Sequence, residues 1–133
     1  MAISKSFVFI NRKAPYGTIY ALEALEIVLI AGAFEQQVRL VFMDDGVYQL
    51  AKNQNPSGIG MKNFSKTFGA LGDYDVEQIY VDYESLNLRG LSVSDLQPLT
   101  HDAADGTEQL SIKVVPRSEL ADIIDSADIL LNF

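Results

Sequence analysis

Strand-like segments and one long apolar helix alternate between residues 7 and 50, and this alternation restricts the possible fold most. Ser6 to Arg12 is predicted as a strand, Thr18 to Phe34 as a helix, and Val38 to Met43 as a second strand that ends at an Asp-Asp-Gly turn. The second strand is apolar except for Arg39. Strands that are apolar along nearly their whole length are typical of a parallel sheet covered on both faces.

The same alternation continues to residue 133. Three further strands are predicted, at Val76 to Asp82, Leu110 to Val115 and Ile129 to Phe133. We therefore expect a single α/β domain over residues 1–133, with a flavodoxin-like, doubly wound, mainly parallel five-stranded sheet and helices on both faces.

The remaining helices and loops follow from spacing and composition. Short helical pieces are expected after Gly46 and Tyr83, and polar loops at Lys52 to Gly60 and Gln97 to Gln109. Two further amphipathic helices are predicted from the residues on their inward faces, Met61, Phe64, Phe68 and Leu71 in one and Leu120, Ile123 and Ile124 in the other. Lys62 and Lys66 face outward in the first of these, and Gly72 is its predicted end.

The first helix is more apolar than a helix that covers one face of a sheet needs to be. Only Glu23 and Glu26 mark a polar face, and that face is narrow. An apolar stripe of little more than about 100° suffices to cover a sheet. The excess predicts that a second surface packs on this helix, and another subunit fits a domain of this size.

Composition excludes several functions. The chain has no cysteine, and 18 acidic against 10 basic residues give a net charge of −8. Without a thiol there is no disulfide framework and no thiolate metal site, and the acidity disfavours binding to nucleic-acid phosphates. Acidic residues interrupt the longest apolar run before it could span a bilayer, and no signal peptide is visible at the start. We therefore expect a cytoplasmic protein that binds neither membrane nor nucleic acid directly.

Polar residues follow the first three strands and are expected at the carboxyl edge of the sheet, where ligands of such folds bind. The loop after the first strand, with Arg12, Lys13 and Tyr16, could hold a phosphate, dock a protein, or be a solvated turn with Thr18 as helix cap. It lacks the glycine spacing of a nucleotide-binding loop. Docking is favoured over phosphate binding.

Two other groups of polar residues have simpler explanations. Asp44 and Asp45 could chelate Mg²⁺, but the favoured interpretation is that Asp45 caps the helix at Gly46 while Asp44 stabilises its positive end. His101 lies among acidic residues at irregular spacing and is expected to be a surface histidine. No catalytic residue, cofactor site or metal site is predicted.

Six segments together carry a family resemblance: NRKAPYGTIYALEALE, FMDDGVYQL, GIGMKNFS, LGDYDVEQIYVD, LNLRGL and DILLNF. They resemble the DsrE/DsrF-like sulfur-relay family, which includes the DsrEFH and TusBCD subunits. The resemblance covers nearly the whole chain, and within the family the chain looks like the DsrF/TusC branch, with DsrF closer.

The resemblance implies that this chain is an accessory subunit of a sulfur-relay complex. The family forms hetero-hexamers that pass persulfide sulfur between cysteines, with DsrE/TusD-like and DsrH/TusB-like subunits and a DsrC/TusE-like acceptor. Its transferring cysteine ends the third strand, ahead of a short helix closing in Arg-Gly; here Arg89 and Gly90 close that helix and Asp82 holds the cysteine position. A carboxylate cannot carry persulfide sulfur, because that chemistry needs a thiolate.

We therefore expect a cysteine-free accessory subunit that is not catalytic alone, most consistent with cytoplasmic sulfur oxidation. Arg12, Lys13, Tyr16, Asp44, Asp45 and Asp82 are the residues expected at a partner-docking edge. The alternatives are a TusC-like subunit for tRNA 2-thiouridine synthesis, a free-standing flavodoxin-like small-molecule-binding protein, or a homo-oligomeric regulatory protein.

Overall fold

The computed structural model describes residues 5–59 and 63–133. Numbered in chain order, its strands are β1 Ser6–Asn11, β2 Gln37–Phe42, β3 Gln78–Asp82, β4 Thr100–Asp102, β5 Glu108–Leu110, β6 Ile112–Val115 and β7 Ile129–Asn132. The α-helices are α1 Tyr20–Ala33, α2 Tyr83–Leu88 and α3 Arg117–Asp125. Helices of the 3-10 type span Asp44–Leu50, Pro56–Ile59, Ser65–Tyr74 and Val93–Asp95.

Five strands form one sheet in the order β6-β3-β2-β1-β7, and all neighbours in it run parallel. The predicted fold class is confirmed. From β1 the chain adds strands in one direction as far as β6, and then returns through α3 to place β7 on the other side of β1. The sheet therefore changes winding direction between β1 and β7, and in α/β sheets such a point opens a crevice at the carboxyl ends of the strands.

Alternate residues of the strands face two separate cores. Phe9, Leu40 and Ile79 belong to the larger core, which α1 and the 3-10 helices cover, whereas Val8 and Val41 belong to a smaller core beneath α3. This is the period-two alternation that a strand buried on both faces requires. Helices therefore cover both faces of the sheet, as predicted.

Helix α1 begins at Tyr20, two residues later than predicted. Its N-cap is Ile19, without a side-chain hydrogen bond, so Thr18 does not cap the helix. The buried side of the helix carries Ala21, Ala24, Leu25, Val28 and Gly32. Gly32 packs so closely on Tyr74 that a Cβ atom at position 32 would lie 2.7 Å from the Tyr74 carbonyl oxygen. Ile27, Ile30 and Phe34 remain exposed on the outer side of the helix and its end.

The greatest departure from the predicted elements lies between residues 97 and 115. The predicted loop contains the antiparallel hairpin β4–β5, and Leu110 belongs to this hairpin rather than to the parallel strand that follows. Asp105 forms the turn by accepting hydrogen bonds from the backbone and hydroxyl of Thr107. The backbone N–H of Ser111 then bonds to Leu99, which ends the hairpin and lets β6 begin at Ile112.

The helix predicted around Phe64, Phe68 and Leu71 is present as the 3-10 helix Ser65–Tyr74. It continues past Gly72 and ends at Asp75, which has a left-handed φ of 61°. Met61 and Lys62 lie outside the described residues. The short helices expected after Gly46 and Tyr83 are confirmed, the first as the 3-10 helix Asp44–Leu50 and the second as α2.

Candidate functional site at the carboxyl edge of the sheet

The carboxyl ends of β1, β2, β3 and β6 carry three arginine–carboxylate ion pairs. Their arginines are Arg12, Arg89 and Arg117, and their main carboxylates are Asp44, Asp45 and Asp82. The fold thus brings the polar residues predicted after three separate strands to one edge. Arg89 and Arg117 were not predicted as site residues.

The first pair joins the ends of β1 and β2. Nε of Arg12 donates a 2.9 Å hydrogen bond to Oδ2 of Asp44, and both side chains are partly exposed. Asp44 has a left-handed φ of 52°, and Gly46 packs so closely on β1 that a Cβ atom there would lie 1.9 Å from the carbonyl oxygen of Asn11. Glycine at position 46 is therefore what allows the Asp-Asp-Gly turn to approach Arg12.

The second pair joins the same turn to the end of α2. Arg89 contacts Oδ1 of Asp45 at 3.0 Å and also donates to the carbonyl oxygen of Ser85. The expected capping role of Asp45 is wrong, because the 3-10 helix starts at Asp44, two residues earlier than predicted, and its N-cap is Met43, which makes no side-chain hydrogen bond. Asp44 does lie in the first helical turn, as predicted.

The third pair is the most buried. The Asp82 side chain has no exposed surface, and its Oδ2 accepts 2.6 Å and 2.7 Å hydrogen bonds from Oγ of Ser85 and Nη2 of Arg117. The Ser85 hydroxyl in turn accepts a hydrogen bond from the backbone N–H of Asp44. Arg117 also approaches the exposed Glu84 at 3.6 Å. Asp82 therefore links β2, α2 and α3 through one carboxylate oxygen.

Burial alone would raise the pKa of Asp82, but the hydrogen bonds from Ser85 and Arg117 and the positive charge of Arg117 outweigh burial. The pKa of Asp82 is therefore lower than its ordinary value. The same pairing raises the pKa of Arg117. The carboxylate is ionised at neutral pH and holds the arginine in place.

Polar side chains hold the loop between β1 and α1 in place. The Tyr16 hydroxyl donates a 2.6 Å hydrogen bond to Oε1 of Gln54, and its ring packs edge-on against Phe64. Partial burial raises the pKa of the Tyr16 phenol. The buried amide of Gln49 donates to the carbonyl oxygen of Lys13. These contacts present Arg12 and Lys13 to solvent on an ordered loop.

A pocket of about 310 Å³ opens where β1 and β7 meet, and Arg12, Lys13, Asp44, Asn132 and Phe133 line it. This is the crevice expected at the change of winding direction. The guanidinium group of Arg12 in this pocket already pairs with Asp44. The pocket is therefore not a purely cationic binding site for a phosphate.

Along the described stretches, no group of three His, Asp or Glu side chains lies where it could hold a metal ion. Likewise, no helix within residues 5–59 and 63–133 is long and apolar enough to cross a bilayer. The expectation that His101 is a surface residue is wrong, because its side chain is only 12% exposed. Nδ1 of His101 lies 2.8 Å from Oγ of Ser111, and its Nε2 lies 3.8 Å from Glu77.

A family model for the DsrE/DsrF-like family matches residues 5–133. The chain belongs to the DsrE/DsrF-like family. It is 47% identical over 133 residues to the intracellular sulfur oxidation protein DsrF of Allochromatium vinosum, a match that covers 98% of each chain. It is 32% identical over 126 residues to a TusC homologue of Pseudomonas aeruginosa, covering 95% of this chain and 96% of the relative.

Among solved structures, the crystal structure of the ychN protein from E. coli matches this family member with a TM-score of 0.73. The match covers 97% of this chain and 99% of that chain at 24% identity, so it supports the fold. The structure also agrees with the predicted surroundings of Asp82. The residue ends β3, and the short helix α2 after it closes in Arg89 and Gly90, the latter with a left-handed φ of 67°.

Four residues of this edge were not predicted from the sequence: Gln49, Ser85, Arg89 and Arg117. One signal for Arg117 was present, because it follows Pro116 directly after a predicted strand and must lie at the carboxyl edge of a parallel sheet. Ser85 and Gln49 lie inside helical segments, where nothing in the sequence distinguishes a bridging side chain from an ordinary one.

Proposed function

We propose that this chain is a cysteine-free accessory subunit of a DsrEFH- or TusBCD-type sulfurtransferase complex that relays persulfide sulfur between proteins. The observation that carries the proposal is the match to DsrF over 98% of both chains, combined with the absence of any cysteine from all 133 residues. Persulfide transfer requires a thiolate on each carrier, so the sulfur travels on partner subunits.

The proposal favours sulfur oxidation in the cytoplasm over a role in tRNA thiolation. Identity to the relative named as an intracellular sulfur oxidation protein is 47%, against 32% to the TusC homologue of Pseudomonas aeruginosa at nearly equal coverage. The TusC-like alternative remains the second assignment within the same family. Both assignments keep the chain in a relay complex and differ in the protein that finally receives the sulfur.

The proposed partners are a DsrE/TusD-like subunit, a DsrH/TusB-like subunit and a DsrC/TusE-like sulfur acceptor. Together with this chain, the first two would form a hetero-hexamer that holds two copies of each of the three chain types. The net charge of −8 favours association with basic protein surfaces over direct contact with nucleic acid or membrane.

Partner docking is proposed at the carboxyl edge. Arg12, Lys13, Asp44 and Asp45 offer exposed charges there, and Tyr16 orders the loop that carries the two basic residues. Asp82 has no exposed surface. We therefore assign it an indirect part in docking, in which it holds the half-exposed Arg117 in a fixed direction.

Native mass spectrometry of the tagged chain, purified from its own cells without reductant, tests the proposal. We expect a hexamer of three chain types, with an added sulfur mass on a partner and none on this chain. A lone chain or homo-oligomer that carries a small molecule would contradict the proposal. The pocket between β1 and β7 would then become the first place to locate that molecule.

A further inference from the structure

The outer side of α1 exposes a row of residues with the spacing of a helix–helix interface. Tyr20, Glu23, Ile27, Ile30 and Phe34 follow one another at intervals of three and four residues, and all five are exposed. We call this row the α1 stripe. Intervals of three and four place side chains on one line along a helix and suit packing against a second helix at a shallow angle.

The α1 stripe is too apolar to face water without a function. Ile30 and Phe34 are 58% and 72% exposed, and the neighbouring Ile19 is 61% exposed. Soluble proteins seldom leave a contiguous patch of this kind uncovered, and such patches mark interaction sites.

A carboxylate lies in the middle of this apolar surface. At 3.6 residues per turn, Glu23 projects between Ile30 and Phe34 in angular position, with Glu26 at the margin. Within the described residues neither glutamate forms an ion pair. A surface that covers Glu23 must supply a positive charge, because burying an unpaired carboxylate is strongly unfavourable.

A second copy of this chain does not supply that charge well. Helix α1 carries two glutamates and no lysine, arginine or histidine, and Glu35 lies two residues beyond its end. Lys13 lies beside Tyr20 and Glu23 at one end of the stripe. One lysine beside three carboxylates leaves the surface acidic, so two copies that meet through their stripes would bring like charges together.

We propose that the α1 stripe binds an amphipathic helix of a different protein chain, which presents apolar residues to Ile27, Ile30 and Phe34 and a lysine or arginine to Glu23. This inference rests on the proposed function, since the different chain is one of the two partner subunits of the complex. Charge complementarity selects the partner, while the apolar residues supply the area that is removed from water.

The test uses the full-length chain produced together with the DsrE-type and DsrH-type proteins of the same organism, purified through a tag on the DsrE-type protein. Four variants are compared with the wild type: Ile30→Asp, Glu23→Lys, Glu23→Leu and, as a matched charge control on α3, Asp122→Lys. All changed residues are exposed, so circular dichroism should show folded protein. Mass photometry over a dilution series measures dissociation of the complex.

We expect Ile30→Asp and Glu23→Lys to weaken the complex at least about tenfold, as changes at the centre of an interface do. Asp122→Lys should assemble like the wild type. Glu23→Leu should also weaken the complex, because it removes the partner of a basic residue. Tighter assembly of Glu23→Leu would show an apolar residue opposite position 23 and overturn the charge complementarity.

The remaining outcomes separate this inference from the proposed function. If the complex forms but tolerates Ile30→Asp and Glu23→Lys, the proposed function stands and the α1 stripe is the wrong surface. If Asp122→Lys weakens the complex as much, net charge governs assembly and the surface assignment fails. If the chain alone forms a homo-oligomer that Ile30→Asp dissociates, the occupant is a second copy. If no complex with the two proteins forms at all, both proposals fail.

Discussion

Nη2 of Arg117 donates a 2.7 Å hydrogen bond to Oδ2 of Asp82, and this carboxylate is fully buried although Arg117 is 49% exposed. The contact joins the last residue of β3 to the first residue of α3 across the end of β6, where Asp82 is in register with Val115. It closes one side of the carboxyl edge, at the position that the family resemblance assigns to a transferring cysteine.

Replacement of Asp82 by asparagine should destabilise the protein by about 2 kcal/mol, because the charged hydrogen bond from Arg117 and the bond from Ser85 both weaken. Urea unfolding followed by circular dichroism measures the loss. Asp45→Asn is the matched control, since the Asp45 carboxylate is exposed and its pair with Arg89 should contribute at most about 1 kcal/mol. An equal loss of unfolding free energy in the two variants would contradict the claim that the buried carboxylate contributes more than the exposed one.

The stabilising effect of Asp82 should disappear in acid. Its pKa is lowered in the folded protein, so its contribution is fully present above the ordinary aspartate pKa of about 3.9 and is lost as the pH falls through the folded pKa. The difference in unfolding free energy between wild type and Asp82→Asn should therefore be largest at pH 7 and shrink below about pH 4. A difference that grows on acidification would require a raised pKa and contradict this assignment.

Ser85→Ala should raise the pKa of Asp82, because it removes the shorter hydrogen bond to the carboxylate. NMR titration of the Asp82 side-chain carbonyl carbon measures the shift. Thr107→Ala, which removes a comparable bond to the exposed Asp105, serves as the control and should leave the Asp82 titration unchanged. An unchanged pKa in Ser85→Ala would show that Arg117 alone sets it.

Gly46→Ala should be severely destabilising, by more than about 3 kcal/mol. The added Cβ atom would lie 1.9 Å from the backbone oxygen of Asn11, and backbone atoms of β1 cannot move aside as a flexible side chain could. Gly69→Ala is the control, since no atom lies within 4 Å of its Cβ position. Thermal unfolding of both variants measures the difference, and we expect a much lower melting temperature for Gly46→Ala. Similar melting temperatures would show that the Asp-Asp-Gly turn can shift.

Reversing the charges of Arg12 and Lys13 should weaken binding of the proposed DsrC/TusE-like acceptor at least about tenfold, as loss of central contacts does. The acceptor is added to the assembled complex, and isothermal titration calorimetry measures its affinity. Lys5→Glu with Lys66→Glu changes the net charge equally on exposed residues outside the edge. Unaltered affinity in the Arg12 and Lys13 variant would place acceptor docking elsewhere.

The parallel strands could be predicted from the sequence, whereas the hairpin β4–β5 could not. The predicted boundaries of the parallel strands agree with the observed ones to within about two residues, because a short continuous apolar run in a small α/β domain is typical of a buried parallel strand. The hairpin β4–β5 was missed because each of its strands has three residues, most of them polar. Its pairing of His101 with Gln109 also depends on a turn formed by Asp105 and Thr107.

The carboxyl edge shows the same division. Asp44, Asp45 and Asp82 could be placed there because each follows a predicted strand, and parallel strands end on the same side of the sheet. Which arginine each one binds could not be deduced, because the partners lie 32, 44 and 35 residues away in the sequence. The burial of Asp82 depends on the same distant contacts.

The sequence by itself determined the fold class, the surplus apolar surface of α1 and the impossibility of sulfur transfer through a thiol of this chain, because each of these follows from residue type and local spacing. Only the tertiary structure decided the strand order β6-β3-β2-β1-β7, the three ion pairs and the position of Glu23 within an exposed apolar row. These features depend on which distant segments meet and which side chains remain uncovered, and packing of the whole chain settles both.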